Sequence, residues 1–146
     1  MTEFITKSVD QTRQKASELA KSLKKGSIIG FLGDLGAGKT AFTGGFVEGL
    51  GIDADVSSPT FAICNDYVGE ENRVLHYDMY RIESWDDLYS TGFFDSIDSG
   101  AYILIEWSEN IFGALPDDAV IIKIDKLSEN ERRFTVMSKK EAEELE

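Results

Sequence analysis

The stretch "SIIGFLGDLGAGKT", Ser27 to Thr40, constrains the fold more than any other part of the chain. Ser27 to Leu32 is a short, nearly continuous apolar run of the kind that forms a parallel strand covered on both faces. Gly33, Gly36, Gly38, Lys39 and Thr40 then satisfy the pattern G-x-x-x-x-G-K-[ST]. Glycines let successive backbone N–H groups point into one nest, which side chains would obstruct. A helix opening near Gly38 brings the positive end of its dipole to the same spot. From there Lys39 can reach the β- and γ-phosphates of a nucleotide, and the Thr40 hydroxyl can ligate a magnesium ion. A buried strand before the glycines and a helix after them is the context that makes so short a pattern specific. An α/β domain of the P-loop NTPase type is the expectation.

The rest of the chain agrees with it. Val9, Ala16, Leu19, Ala20 and Leu23 form a helical stripe between Ser8, a fitting N-cap, and Gly26, a fitting stop. The helix after the glycine loop is expected to run to about Leu50. Gly44 and Gly45 inside it each disfavour helix by about 1 kcal/mol against alanine, which close packing of that helix on the sheet would explain. "FAICNDYV" (Phe61 to Val68) and "NRVLHYDMY" (Asn72 to Tyr80) read as strands, Trp85 to Ser90 as a short helix, and "AYILIEW" as a buried strand. Glu109 to Leu115 reads as a helical turn stopped by Pro116. "AVIIKID" and "RRFTVMS" read as a C-terminal antiparallel strand pair. The final "KKEAEELE", 139–146, reads as a frayed helix or charged tail. One domain over 1–146 is expected, with a mostly parallel central sheet flanked by helices.

The longest purely apolar stretch is the five residues "AYILI", too short to span a bilayer. No basic-then-apolar leader opens the chain, and Cys64, the only cysteine, has no partner for a disulfide or thiolate metal site. These features favour a cytoplasmic protein with no membrane role. The net charge of −12 and the scatter of the basic residues argue against autonomous binding to RNA or DNA.

A phosphate loop needs a carboxylate at the end of a neighbouring strand, to hold magnesium or to position the attacking water. "VLHYD" ends in Asp78 and "YILIE" ends in Glu106. Glu106 follows the purer apolar run and is the expected metal-side carboxylate, beside Thr40; Asp78 is the expected second acid, either orienting or activating the attacking water or holding a metal-bound water. "SSPTF", Ser57 to Phe61, is a candidate switch, with Thr60 among its hydroxyls. His76 reads as a structural histidine. Trp107 either packs near the site or fills the core, and Arg132 and Arg133 contact nucleotide or nothing. No segment like N-K-x-D appears, so ATP is the default nucleotide. Only five arginines and no lid insertion are present, which disfavours a small-molecule kinase.

The ordered set "GDLGAGKT", "SSPTF", "HYDMYRI" and "LIEWSEN" closely resembles the bacterial TsaE (YjeE) family, over roughly Ser8 to Ser138. That resemblance implies weak ATP hydrolysis in tRNA threonylcarbamoyladenosine synthesis. It implies association with TsaD and TsaB, whose complex the ATP cycle resets between rounds of transfer to adenosine 37 of tRNAs reading ANN codons. tRNA would be held mainly by the partners. Residue by residue, Gly36, Ala37, Gly38, Lys39, Thr40 and Ala41 would bind phosphates, and Thr40 and Glu106 would face magnesium. Asp78 would act beside the γ-phosphate, Thr60 in the switch and Trp107 near the nucleotide. Arg132 and the start of the first helix near Asp10 would lie on the base or ribose side. Family members often carry a basic residue before the second of the paired glycines, where this chain has Gly44. A small kinase and a non-catalytic nucleotide switch are the alternatives.

Overall fold

A computed structural model of the chain describes residues 1–33, 38–53 and 64–144. The elements run β1 (Thr2–Thr6), α1 (Val9–Ser22), β2 (Ile28–Gly33), α2 (Lys39–Gly49), β3 (Cys64–Val68), β4 (Arg73–Asp78), α3 (Trp85–Ser90), α4 (Phe93–Ile97), β5 (Tyr102–Glu106), a 3-10 segment Ser108–Ala114, β6 (Val120–Lys126), β7 (Arg132–Ser138) and α5 (Lys139–Glu144). The strands form one sheet in the order β1-β7-β6-β2-β5-β4-β3. β6, β2, β5 and β4 pair in parallel, while β3 on one side and β7 with β1 on the other pair antiparallel.

Strand alternation divides the core between the two faces of the sheet. Ile29, Phe31, Val74, Leu104, Ile122 and Phe134 meet Ala16 and Ala20 of α1 and Phe42, Phe46 and Val47 of α2 on one face. Ile28, Tyr77, Ile103, Ile105 and Ile121 meet Leu88, Phe93, Ile111, Leu115 and Ala142 on the other. Every residue of β5 is buried, as a strand covered on both faces must be. Phe42 holds α2 to the sheet, with its ring 5.5 Å from both Phe31 and Phe134.

Ser8 caps α1 by accepting from Gln11 N–H at 3.1 Å. The helix stops at Ser22, three residues before the expected Lys25, where Leu23 turns extended. The α2 glycines pack elsewhere than expected. A Cβ on Gly45 would strike the backbone of Arg13, and one on Gly49 would come within 2.6 Å of the Ser17 carbonyl oxygen. The helix face bearing them lies on α1, not on the sheet, so the close approach is between two helix backbones. The charged C-terminal stretch is a docked helix as far as Glu144. Lys139 is buried there, its Nζ donating to the Leu115 carbonyl at 2.8 Å.

Candidate phosphate and metal site

The site lies where the carboxyl ends of the parallel strands meet the start of α2, the end of an α/β sheet where ligands bind. Gly38, the N-cap of α2, has a φ of 104°, a left-handed conformation that favours glycine. Lys39 follows as the first helical residue and is only 3% exposed. Among the described residues no carboxylate pairs with it; its Nζ lies 5.7 Å from the centroid of the Trp107 ring. A buried ammonium at a helix N-terminus, without a paired carboxylate, suits a phosphate. Thr40, next along the first turn, is exposed, and Ala41 is partly buried.

Asp78 and Glu106 are the last residues of β4 and β5 and are partners in the parallel register. They therefore project to the same side of the sheet, the side that carries α2. Glu106 is buried. Asp78 is half-buried, and its Oδ1 accepts from the Tyr80 N–H at 2.9 Å, fixing one oxygen and leaving the other. The chain beyond Asp78 is tied down as well. Met79 N–H donates to the Glu106 carbonyl at 3.0 Å, and Asn110 Nδ2 donates to the Met79 carbonyl at 2.9 Å.

Trp107 has φ 61° and ψ 40°, the only non-glycine positive φ among the described residues. This turn ends β5 abruptly and lays the indole between Lys39 and Tyr80, whose ring centroid is 4.8 Å away. The next residue, Ser108, is fully buried and donates its hydroxyl to the Phe31 carbonyl at 2.8 Å. Gly30 makes room for it, since a Cβ there would lie 2.9 Å from Ser108 Cβ. Partial burial raises the Glu109 carboxyl above its ordinary range, against the opposing pull of the Lys39 ammonium.

Beside the start of α2, Ser8, Val9, Thr12, Gly38, Ala41, Glu129, Asn130 and Arg132 line a cavity of about 170 Å³. Arg132 Nη1 donates to the carbonyls of Ser128, Glu129 and Glu131, which clasps the β6–β7 turn, and its Nε is buried with no hydrogen-bond partner among the described residues. The start of α1 contributes to this cavity through Ser8, Val9 and Thr12; Asp10 is exposed and is not part of the lining.

A family model described as "Threonylcarbamoyl adenosine biosynthesis protein TsaE" matches residues 6–134. The chain belongs to the TsaE family. It is 35% identical over 136 residues to the tRNA threonylcarbamoyladenosine biosynthesis protein TsaE of Rickettsia felis, covering 92% of this chain and 79% of that protein. It is 37% identical to the Bacillus subtilis TsaE (86% and 78% covered) and 32% identical to that of Treponema pallidum (90% and 97%). The crystal structure of Bacillus subtilis YdiB superposes with a TM-score of 0.72 at 30% identity, covering 99% of this chain and 89% of that one. The mixed α/β sheet with its parallel centre is thus a P-loop NTPase-type fold, and the TsaE family works in tRNA threonylcarbamoyladenosine biosynthesis. No described helix is long and apolar enough to cross a membrane.

Of the residues singled out from sequence, Lys39, Trp107, Asp78 and Glu106 come together around the start of α2 and the ends of β4 and β5; Gly33 ends β2, Gly38 caps α2, and Thr40 and Ala41 lie in its first turn. Arg132 stands at the neighbouring cavity. Gly36, Ala37 and Thr60, with the rest of "SSPTF", lie outside the described residues. The reading of His76 as a structural histidine did not anticipate its neighbour: its Nε2 lies 2.7 Å from Glu106 Oε2. The signal available was parity: His76 stands two residues before Asp78, so a strand places both on one face.

The residues present fit magnesium and a nucleotide. Magnesium keeps most of its coordination for water and phosphate, asking of the protein one or two oxygens such as the Thr40 hydroxyl and the Glu106 carboxylate. The Lys39 ammonium, which no carboxylate pairs with among the described residues, supplies the charge that phosphate requires.

Proposed function

We propose that the chain is a magnesium-dependent ATPase that supports threonylcarbamoyl modification of adenosine 37, acting on a TsaB–TsaD complex and resetting it between turnovers. The observation that carries this reading is Lys39: a buried ammonium at the N-terminus of α2, without a carboxylate partner among the described residues, beside two strand-end acids in register. Lys39 and the first-turn N–H groups of α2 hold the β- and γ-phosphates. Thr40 and Glu106 hold magnesium, which when bound offsets the charge that grows on the phosphoryl oxygens. Asp78, one oxygen fixed by Tyr80, has the other to orient a water. That water forms the new bond to the γ-phosphorus as the β–γ bridge breaks, its proton departs toward Asp78, and ADP and phosphate result. Trp107 covers Lys39 and restricts water there. The cavity between α1 and Arg132 receives the base side of the nucleotide.

A net charge of −12 suits a protein partner better than tRNA, which would be held by TsaB–TsaD. The test is phosphate release from ATP, measured alone and with the TsaB–TsaD pair of the same organism. Slow release that changes clearly on adding the pair, and that collapses in E106A while nucleotide still binds, is the expected result. Unchanged release with no binding to the pair removes the tRNA-modification role. Hydrolysis that survives E106A removes the assignment of Glu106.

A further inference from the structure

His76 is 1% exposed and sits in β4 with both ring nitrogens buried, and neither makes an aligned hydrogen bond among the described residues. An apolar side chain would fill this place without stranding two polar atoms, so packing does not explain a histidine here. Its nearest polar neighbour explains it. Nε2 stands 2.7 Å from Glu106 Oε2, within hydrogen-bonding reach once the two groups turn into line. β4 and β5 hold the two side chains together: His76 is in register with Leu104, one alternation before the Asp78–Glu106 pair and on the same face. On its other side, toward β3, the ring faces the tilted ring of Tyr67, with the centroids 6.3 Å apart.

We infer that His76 is the positioning residue for Glu106: it holds one carboxylate oxygen from below and presents the other to magnesium at the start of α2. The inference rests on the reading of Glu106 as a metal ligand. Groups that hydrogen-bond to metal-ligating carboxylates set their orientation, and losing one weakens metal binding about 10- to 100-fold.

The experiment titrates Mn²⁺ into the protein loaded with a non-hydrolysable ATP analogue and follows free Mn²⁺ by electron paramagnetic resonance. Wild type is compared with H76F, H76Q, E106Q and the H76F/E106Q double variant. H76F should bind Mn²⁺ about 10- to 100-fold more weakly while binding the metal-free analogue as wild type does. H76Q, which keeps a donor near the Nε2 position, should restore most of the loss. In the E106Q background H76F should cost nothing further, since the two side chains act as one unit. Loss of Mn²⁺ affinity in E106Q with none in H76F overturns the inference and leaves Glu106 a ligand. Unchanged affinity in E106Q overturns the reading of Glu106 and the inference with it. Equal loss of metal-free nucleotide binding in H76F also overturns it, showing a histidine that only supports the fold. If H76F does not fold, H76N, which pulls the donor back, takes its place with the same expected loss.

Discussion

At the scale of single residues the site depends on one turn in the backbone, at Trp107. A tryptophan at φ 61° carries a strain of about 1–3 kcal/mol, which persists only where the surroundings over-determine it. Here they do: the residue before it ends β5 beside Asp78, and the residue after it plugs the space over Gly30. The strain turns the indole onto Lys39 instead of into the sheet. The chain has two tryptophans, and the other, Trp85, is 59% exposed on α3. Nucleotide binding should therefore change the intrinsic fluorescence through Trp107 alone. W85F should keep the ATP-dependent change and W107F should abolish it; a response retained by W107F would place the nucleotide away from this ring.

At the scale of elements, α1 and α2 approach until their backbones touch, Arg13 over Gly45 and Ser17 over Gly49, a spacing of four residues on both helices. G45A should destabilise the protein by about 1–3 kcal/mol through overpacking, despite the gain of about 1 kcal/mol in helix propensity. G44A should be close to neutral, because its new methyl meets only the movable end of the Arg13 side chain, which ion-pairs with Glu48. Urea unfolding of the two variants checks both signs. Elements that carry their own signal were legible in the sequence. α3 spans Trp85 to Ser90 and β7 spans Arg132 to Ser138, as read. β1 was not legible, since only Thr6 of its five residues is buried and its pairing with β7 joins opposite ends of the chain. α4, five residues long, is too short to show a helical period. The types of the site residues could be read from motif spacing, but the contact between His76 and Glu106 could not. It depends on β4 and β5 lying side by side, and strand order is a property of the packed sheet. The partner of the α2 glycines was hidden for the same reason.

At the scale of the whole molecule, a ligand that bridges α2, β4 and β5 ties separate parts of the sheet together and should stabilise all of it. With ATP and magnesium at about a hundred times their dissociation constant, the melting temperature should rise by about 5–10 °C. Chelating the magnesium should remove a large part of that rise. A scan that does not move with ATP and magnesium would mean that no nucleotide settles on Lys39. The order of strands also matters while the protein is being made. Among the described strands β1 pairs with β7, stacking Phe4 on Phe134 at 5.1 Å, so its partner is made after every other strand of the sheet. The same late hairpin carries Arg132 to the cavity beside α2. A nascent chain stalled before that hairpin therefore has a loose β1 and an incomplete cavity beside α2, and it gains both together when the hairpin forms.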